Sequence, residues 1–297
     1  MKYSFHKHNI KHLTKAVLGR IEYSIHGVIA DRNELVVLNY HGVQQKFLKD
    51  FSKQIAFFNE HFEFATIADL DDILSKRKKG KRPFLLLTFD DGIKNNLLTI
   101  EVLDKYNIKC IFFIIPEFVN TPSENQKTFF LKNIRPEINS EVDNAIEDFS
   151  ALSWSDLKIL ISKGHSVGSH TMSHSLLKGG TNNAAIEYEI LASKKEIENQ
   201  LGITVKSFCS PNNTLESIGE KELRLICSNY DYHFTTIPGS NIGASPYFIR
   251  RVNIEAHWMK GAVIRATGEW DRKRWKSREM TFISLLDSIG AYKSLKD

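Results

Sequence analysis

The sequence is short of several features that would place it at once. It has three cysteines, Cys110, Cys209 and Cys227, scattered and odd in number. That excludes a disulfide framework and a paired CxxC metal site, and free thiols fit a reducing compartment. No run approaches the roughly 20 apolar residues needed to cross a bilayer, and the first 34 residues lack the apolar centre of an export signal. The expectation is a cytoplasmic protein. Charge of one sign is also scarce: 40 basic against 35 acidic residues leave a net charge of +5. So small an excess argues for no nucleic-acid partner. Repeats, low-complexity tracts and linkers are missing as well. What is present is 42% hydrophobic residues in 297, enough for one large domain with a sizeable core.

Residues 1–33 carry a helical apolar stripe (Ile10, Leu13, Val17, Leu18, Ile21, Ile25) interspersed with Lys7, Lys11, Lys15 and Arg20. Such a basic amphipathic helix either packs on its own domain or lies on an anionic membrane surface, the latter at the inner face of the membrane. Residues 34–257 then alternate apolar runs with helical patterns. Glu34–Tyr40, Phe84–Phe89, Cys110–Ile115, His165–Gly168, Val205–Cys209 and Tyr232–Thr236 read as strands. They have few polar positions, which indicates a parallel α/β arrangement covered on both faces. A barrel and an open doubly wound sheet both fit. A polar, acidic insertion around 116–150 reads as an excursion over one end. The extension 258–297 mixes Trp258, Trp270 and Trp275 with basic residues, as either a sugar-stacking surface or a terminal helix packed by its tryptophans.

In either α/β architecture, chemistry belongs at the carboxyl ends of the strands. There the chain places His41, the doublet Asp90-Asp91 in LLLTFDDGIKNN, His170 with His174, and Ser210-Pro211-Asn212. Two histidines four apart can turn both imidazoles to one cation. With a strand-end carboxylate they complete a two-His, one-carboxylate set with open positions, the pattern of a catalytic metal site.

TFDDG (Thr88–Gly92) and HTMSH (His170–His174) resemble the first two signature motifs of the polysaccharide deacetylase family, also called the NodB-homology or carbohydrate esterase family 4 domain. The likeness runs from about residue 35 to 255 and takes in LNYHGV, GHSVGSH and YDYHFTTIPGSN. The resemblance implies a deformed, TIM-like (β/α) barrel of about seven strands with one divalent metal, usually zinc. Asp91, His170 and His174 would be its ligands and Asp90 the catalytic base. The substrate implied is an N-acetylated amino sugar in a polysaccharide, an oligosaccharide or a lipid-linked precursor. Its acetamide would be hydrolysed with the backbone N–H of Asn212 facing the oxyanion.

Departures from the family pattern are as informative. Its third motif commonly reads Arg-x-Pro-Tyr, whereas this chain has Cys209-Ser210-Pro211-Asn212, so the arginine that orients the base is missing. Arg251 in FIRRVNI is the candidate to restore that charge, against a reading of Arg250 or Arg251 as a surface ion pair. The family's late histidine, a general acid, has one placed candidate, His257 in NIEAHW. His41 is a candidate for the substrate pocket. Two other readings share the scaffold: hydrolysis of an O-acetyl ester or of a cyclic amide or imide, and a carbohydrate-binding barrel without catalysis.

Overall fold

The computed structural model describes residues 17–18, 31–136, 149–177, 182–212, 214–267 and 274–291. The helix expected over residues 1–33 therefore lies almost wholly outside the described residues, as does Trp270. Among the described residues eight strands form one sheet: β1 (Leu35–Tyr40), β2 (Glu63–Phe64), β3 (Phe84–Phe89), β4 (Cys110–Ile114), β5 (Ser166–Ser169), β6 (Ser207–Cys209), β7 (Tyr232–Phe234) and β8 (Val252–Asn253). Seven run in the order β7-β6-β5-β4-β3-β1-β8, and β2 pairs beside β3. Every pairing is parallel, with helices carrying most of the return connections.

The sheet curls until its two edges meet. Ile249 bridges to Phe234 beyond β7, with Thr235 N donating to Ile249 O at 2.8 Å and Ile249 N to His233 O at 3.0 Å. A few residues later Ile254 N donates to Asn39 O at 2.9 Å, on β1. Residues 249–254 thus join both edges, and the pattern that also allowed an open sheet resolves as a deformed barrel.

Strand alternation sorts the side chains into two cores. Val36, Leu38, Tyr40, Leu85, Leu87, Phe89, Phe112 and Ile114 face the helices. Leu35, Val37, Phe84, Leu86, Ile111, Phe113, Phe234 and Ile249 fill the barrel, and Leu70, Ile73 and Leu74 plug one end. The inward series becomes polar towards the carboxyl ends. Leu35 and Val37 are followed by Asn39, Phe84 and Leu86 by Thr88 and Asp90, and Ile249 by Arg251. A packed floor therefore supports a polar mouth, and the site stands on it.

The helix Trp154–Ser162 begins as its sequence suggests, in a reciprocal cap: Asp156 N donates to Ser153 Oγ at 3.2 Å and Ser153 N to Asp156 Oδ2 at 2.8 Å. Of the C-terminal extension, the helix Lys276–Ser288 buries Phe282 and Leu286. Phe282 stacks near Phe248 with ring centroids 4.5 Å apart. Arg250 turns outward to that helix and pairs with Glu279 at 2.9 Å.

His165 ties β4 to the start of β5, its Nδ1 accepting from Cys110 N at 3.1 Å. Burial, with Lys109 adding to it, pushes the imidazole down from 6.5 to about 4. The unfolded chain then takes up this proton first as pH falls, so the stabilisation is whole above pH 6.5 and is lost towards pH 4. The amount is on the order of 3 kcal/mol. In urea titrations from pH 7 to 4, His165→Gln should lose about that much less stability than the wild type. An identical loss would show that His165 does not titrate in this range.

Candidate active site

Among the described residues six non-glycines have left-handed φ, and four of them sit in the strand-end loops: Asp91 (71°), Thr171 (65°), His174 (68°) and Asn212 (52°). Such conformations cost energy and persist where the surroundings impose them. The first explains the aspartate doublet. Asp90 continues the inward series of β3, and a regular strand would then throw Asp91 to the opposite face. The left-handed turn at Asp91 brings it back, so both carboxylates face one cleft. Gly92, with φ of 66°, completes the turn close against Ile114.

Asp90 is 2% exposed and gripped from below. Arg251 Nη1 donates to its Oδ1 at 2.8 Å and Nη2 to its Oδ2 at 2.9 Å. Asn39 Nδ2 adds a bond to Oδ2 at 3.0 Å. The rest of the guanidinium is equally engaged: Nε donates to Thr235 O at 3.0 Å, and Nη1 also to Asn39 Oδ1 at 3.1 Å and Thr88 Oγ1 at 3.0 Å. Nη2 lies 2.7 Å from Cys209 Sγ. Cys209 stands where the resembling motif has arginine, and its small side chain leaves the room that Arg251 fills from the closing segment. Burial pushes the Asp90 carboxyl up, but Arg251 and His170 more than reverse it, so Asp90 is ionised at neutral pH.

Above this clamp, Asp91 Oδ1 lies 3.5 Å from His170 Nε2 and 3.6 Å from His174 Nε2. All three residues are buried, and one ligand atom from each falls within 4.8 Å of the others. Asp91 Oδ1 is buried without a hydrogen-bond partner. Each imidazole spends its Nδ1 on a backbone carbonyl, His170 on Cys209 O and His174 on Asn133 O, both at 2.9 Å. A carbonyl can only accept, so Nδ1 carries a hydrogen and Nε2 is the ring nitrogen turned to the cluster, the one a cation would take in place of a proton. Burial raises the Asp91 carboxyl, yet His170, His41 and His174 outweigh it and hold it far below the usual range. Two imidazole Nε2 atoms, an orphaned carboxylate oxygen and anchored outer nitrogens fit a divalent cation. The neighbouring group of Asp90, His170 and Cys209 differs, because Arg251 already supplies the cation there.

The polar cleft over the triad measures about 130 Å³ and is lined by His41, Ile134, Arg135, Asn212, Thr236 and Asn253 as well as the two aspartates and two histidines. Asn212 and His41 therefore both line the mouth. Desolvation pushes His41 down to about 4, which leaves it neutral at pH 7, and its Nδ1 is buried without a hydrogen-bond partner. His257 does not reach the cleft. It is exposed on the flank, its ring 5.1 Å from that of Phe47, because the loop after β8 leads it away.

Sequence reasoning missed two contributors. The insertion, expected to be a surface excursion, packs Phe118, Phe130, Ile134 and Phe149 into an apolar cluster of its own. It supplies Ile134, Arg135 and the Asn133 carbonyl to the site. The other is Asn39, whose one signal was a polar residue near the end of an otherwise apolar run.

The polysaccharide deacetylase family matches the chain over residues 77–233, more than half of its length. No curated protein sequence matches it. Among solved structures, Streptococcus pyogenes deacetylase PplD in complex with acetate superposes with a TM-score of 0.60 at 17% identity, covering 79% of this chain and 98% of that one. IcaB from Ammonifex degensii gives 0.55 at 22% identity, covering 79% and 97%. These likenesses bear on the fold, and they agree with the deformed barrel.

Removing one partner of a buried ion pair leaves the other charge uncompensated, at a cost of about 3–5 kcal/mol. Arg251→Met should destabilise the protein by that amount in urea at pH 7. Adding Asp90→Leu should recover most of it. A loss below about 1 kcal/mol in the single variant would mean that Asp90 does not depend on Arg251.

Proposed function

Since the chain belongs to the polysaccharide deacetylase family, hydrolases of the amide bond of N-acetyl sugars, we propose a site for that reaction with Asp91, His170 and His174 holding zinc. The observation that carries this reading is the Asp90 carboxylate, clamped by Arg251 beside three convergent ligand atoms. A two-histidine, one-carboxylate set with nitrogen and oxygen donors suits zinc. When bound, the ion supplies Lewis-acid polarisation and acidifies water.

The chain's own groups do the rest. Asp90, ionised at neutral pH, takes the proton of the attacking water at its carboxylate. Arg251 positions Asp90 and preserves its charge, the part the absent third-motif arginine would play. The backbone N–H of Asn212 faces the oxyanion as the carbonyl becomes tetrahedral. The proton taken by Asp90 passes to the amide nitrogen as its bond to the carbonyl carbon breaks, which frees the amine and leaves acetate. His41, the cleft imidazole outside the triad, hydrogen-bonds that nitrogen as it departs. A cleft of about 130 Å³ takes an acetamido group and leaves the sugar chain outside, which suits a glycan substrate.

Acetate release from N-acetylated glucosamine oligomers, with O-acetylated glycans in parallel, tests the reaction. Release from the N-acetyl series should stop on chelation and return with zinc. Asp90→Asn should lower kcat by at least about 10²-fold with zinc retained. Near-normal turnover in that variant would remove Asp90 as the base. His41→Ala should lower kcat with zinc content unchanged, and loss of zinc instead would place His41 among the ligands.

A further inference from the structure

The loop His170–His174 holds two of the three triad residues, and two of its five residues have left-handed φ without being glycine. Something must impose that shape. Within the loop, His174 N donates to Thr171 Oγ1 at 3.0 Å. From outside, Glu189 does more. Its Oε2 accepts from the backbone N–H groups of Met172 and Ser173, both at 2.9 Å, and its Oε1 from the Ser173 hydroxyl at 2.5 Å. Consecutive N–H groups converging on one oxygen form a concavity of the kind that binds anions. Here the anion is a side chain, 6% exposed, sent in from a distant helix.

That helix runs over 183–201, and its middle, Tyr188–Ala192, is a π turn. Such turns are energetically poor and recur at functional sites. This one carries Glu189 against the loop, while Ser193 just beyond it meets Ser169 at the end of β5, Oγ to Oγ 2.7 Å. The helix is thus pinned to the strand and to the loop leaving it.

We propose that Glu189 is the positioning residue of the metal site. It touches no ligand atom. It fixes the loop in the form in which His170 and His174 turn their Nε2 atoms to Asp91. The proposal rests on the triad reading above. A carboxylate matters because three donors converge on it; glutamine keeps one acceptor oxygen for them, and alanine keeps none.

The test is zinc affinity, measured on metal-free full-length protein against a competing chelator, with visible spectra of the cobalt(II) form. Wild type is compared with Glu189→Ala, Glu189→Gln, Ile190→Val and His174→Ala. Glu189→Ala should bind zinc about 10–100-fold more weakly, in the range of altered outer contacts at metal sites, and shift the cobalt bands. Glu189→Gln should fall between it and wild type. Ile190→Val, buried in the same turn, should lose stability without losing affinity. If Glu189→Ala keeps wild-type affinity while His174→Ala is impaired, the proposal fails and the triad stands. Equal affinity in wild type and His174→Ala overturns both. Should Glu189→Ala not fold, Glu189→Gln decides: unchanged affinity and unchanged cobalt bands overturn the proposal.

Discussion

A guanidinium buried in the neck of the barrel is the constraint on which the rest depends. Arg251 is 1% exposed, and burying such a charge is expensive unless every donor is met. Its partners are Thr235 beyond β7, Asn39 on β1, Thr88 and Asp90 at the end of β3, and Cys209 on β6. One planar fork therefore reaches four staves of the barrel. Hydrophobic groups of equal volume can replace a buried ion pair without loss of stability. What they cannot do is hold a carboxylate ionised, in one orientation, beside a cation site. The pair suits the proposed chemistry, and the closing segment 249–254 follows the path that brings Arg251 to it.

Much of this fold was legible because parallel strands buried on both faces are written as uninterrupted apolar runs. β3 spans the residues the pattern marks, and β1 and β4 differ by one residue at an end. The strand-end punctuation was legible for the same reason: polar residues after such runs have nowhere to go but the mouth. Long-range partners left no such trace. Asp90 and Arg251 are 161 residues apart, and nothing local separates Arg251, turned inward, from Arg250, paired with Glu279. Glu189 was hidden differently. Ile186, Ile190 and Ile197 mark the buried stripe of its helix, and the π turn breaks the period that would have shown a carboxylate leaning to the same side. His257 misled because a histidine near the right distance along the chain carries no information about the turn that follows β8.

Two π turns among the described residues belong together. Phe130–Ile134, in the insertion, offers the Asn133 carbonyl to His174 Nδ1, and Tyr188–Ala192 offers Glu189 to the backbone of the same loop. Widened turns on opposite sides thus grip one five-residue segment. The described residues of the insertion pack with Ile93, Ile115 and Ala151 in one apolar cluster and bring Ile134 and Arg135 to the cleft.

The order in which these parts occur along the chain has a consequence for biogenesis. In the order of synthesis Asp91, His170 and His174 come first, and both supporting turns are complete by Ala192. Arg251 arrives some sixty residues later. The three residues proposed to hold a cation are thus synthesised well before Arg251, and the ion pair that clamps Asp90 can form only once the segment 249–254 has been made. On the proposed reading, synthesis itself separates holding an ion from using one.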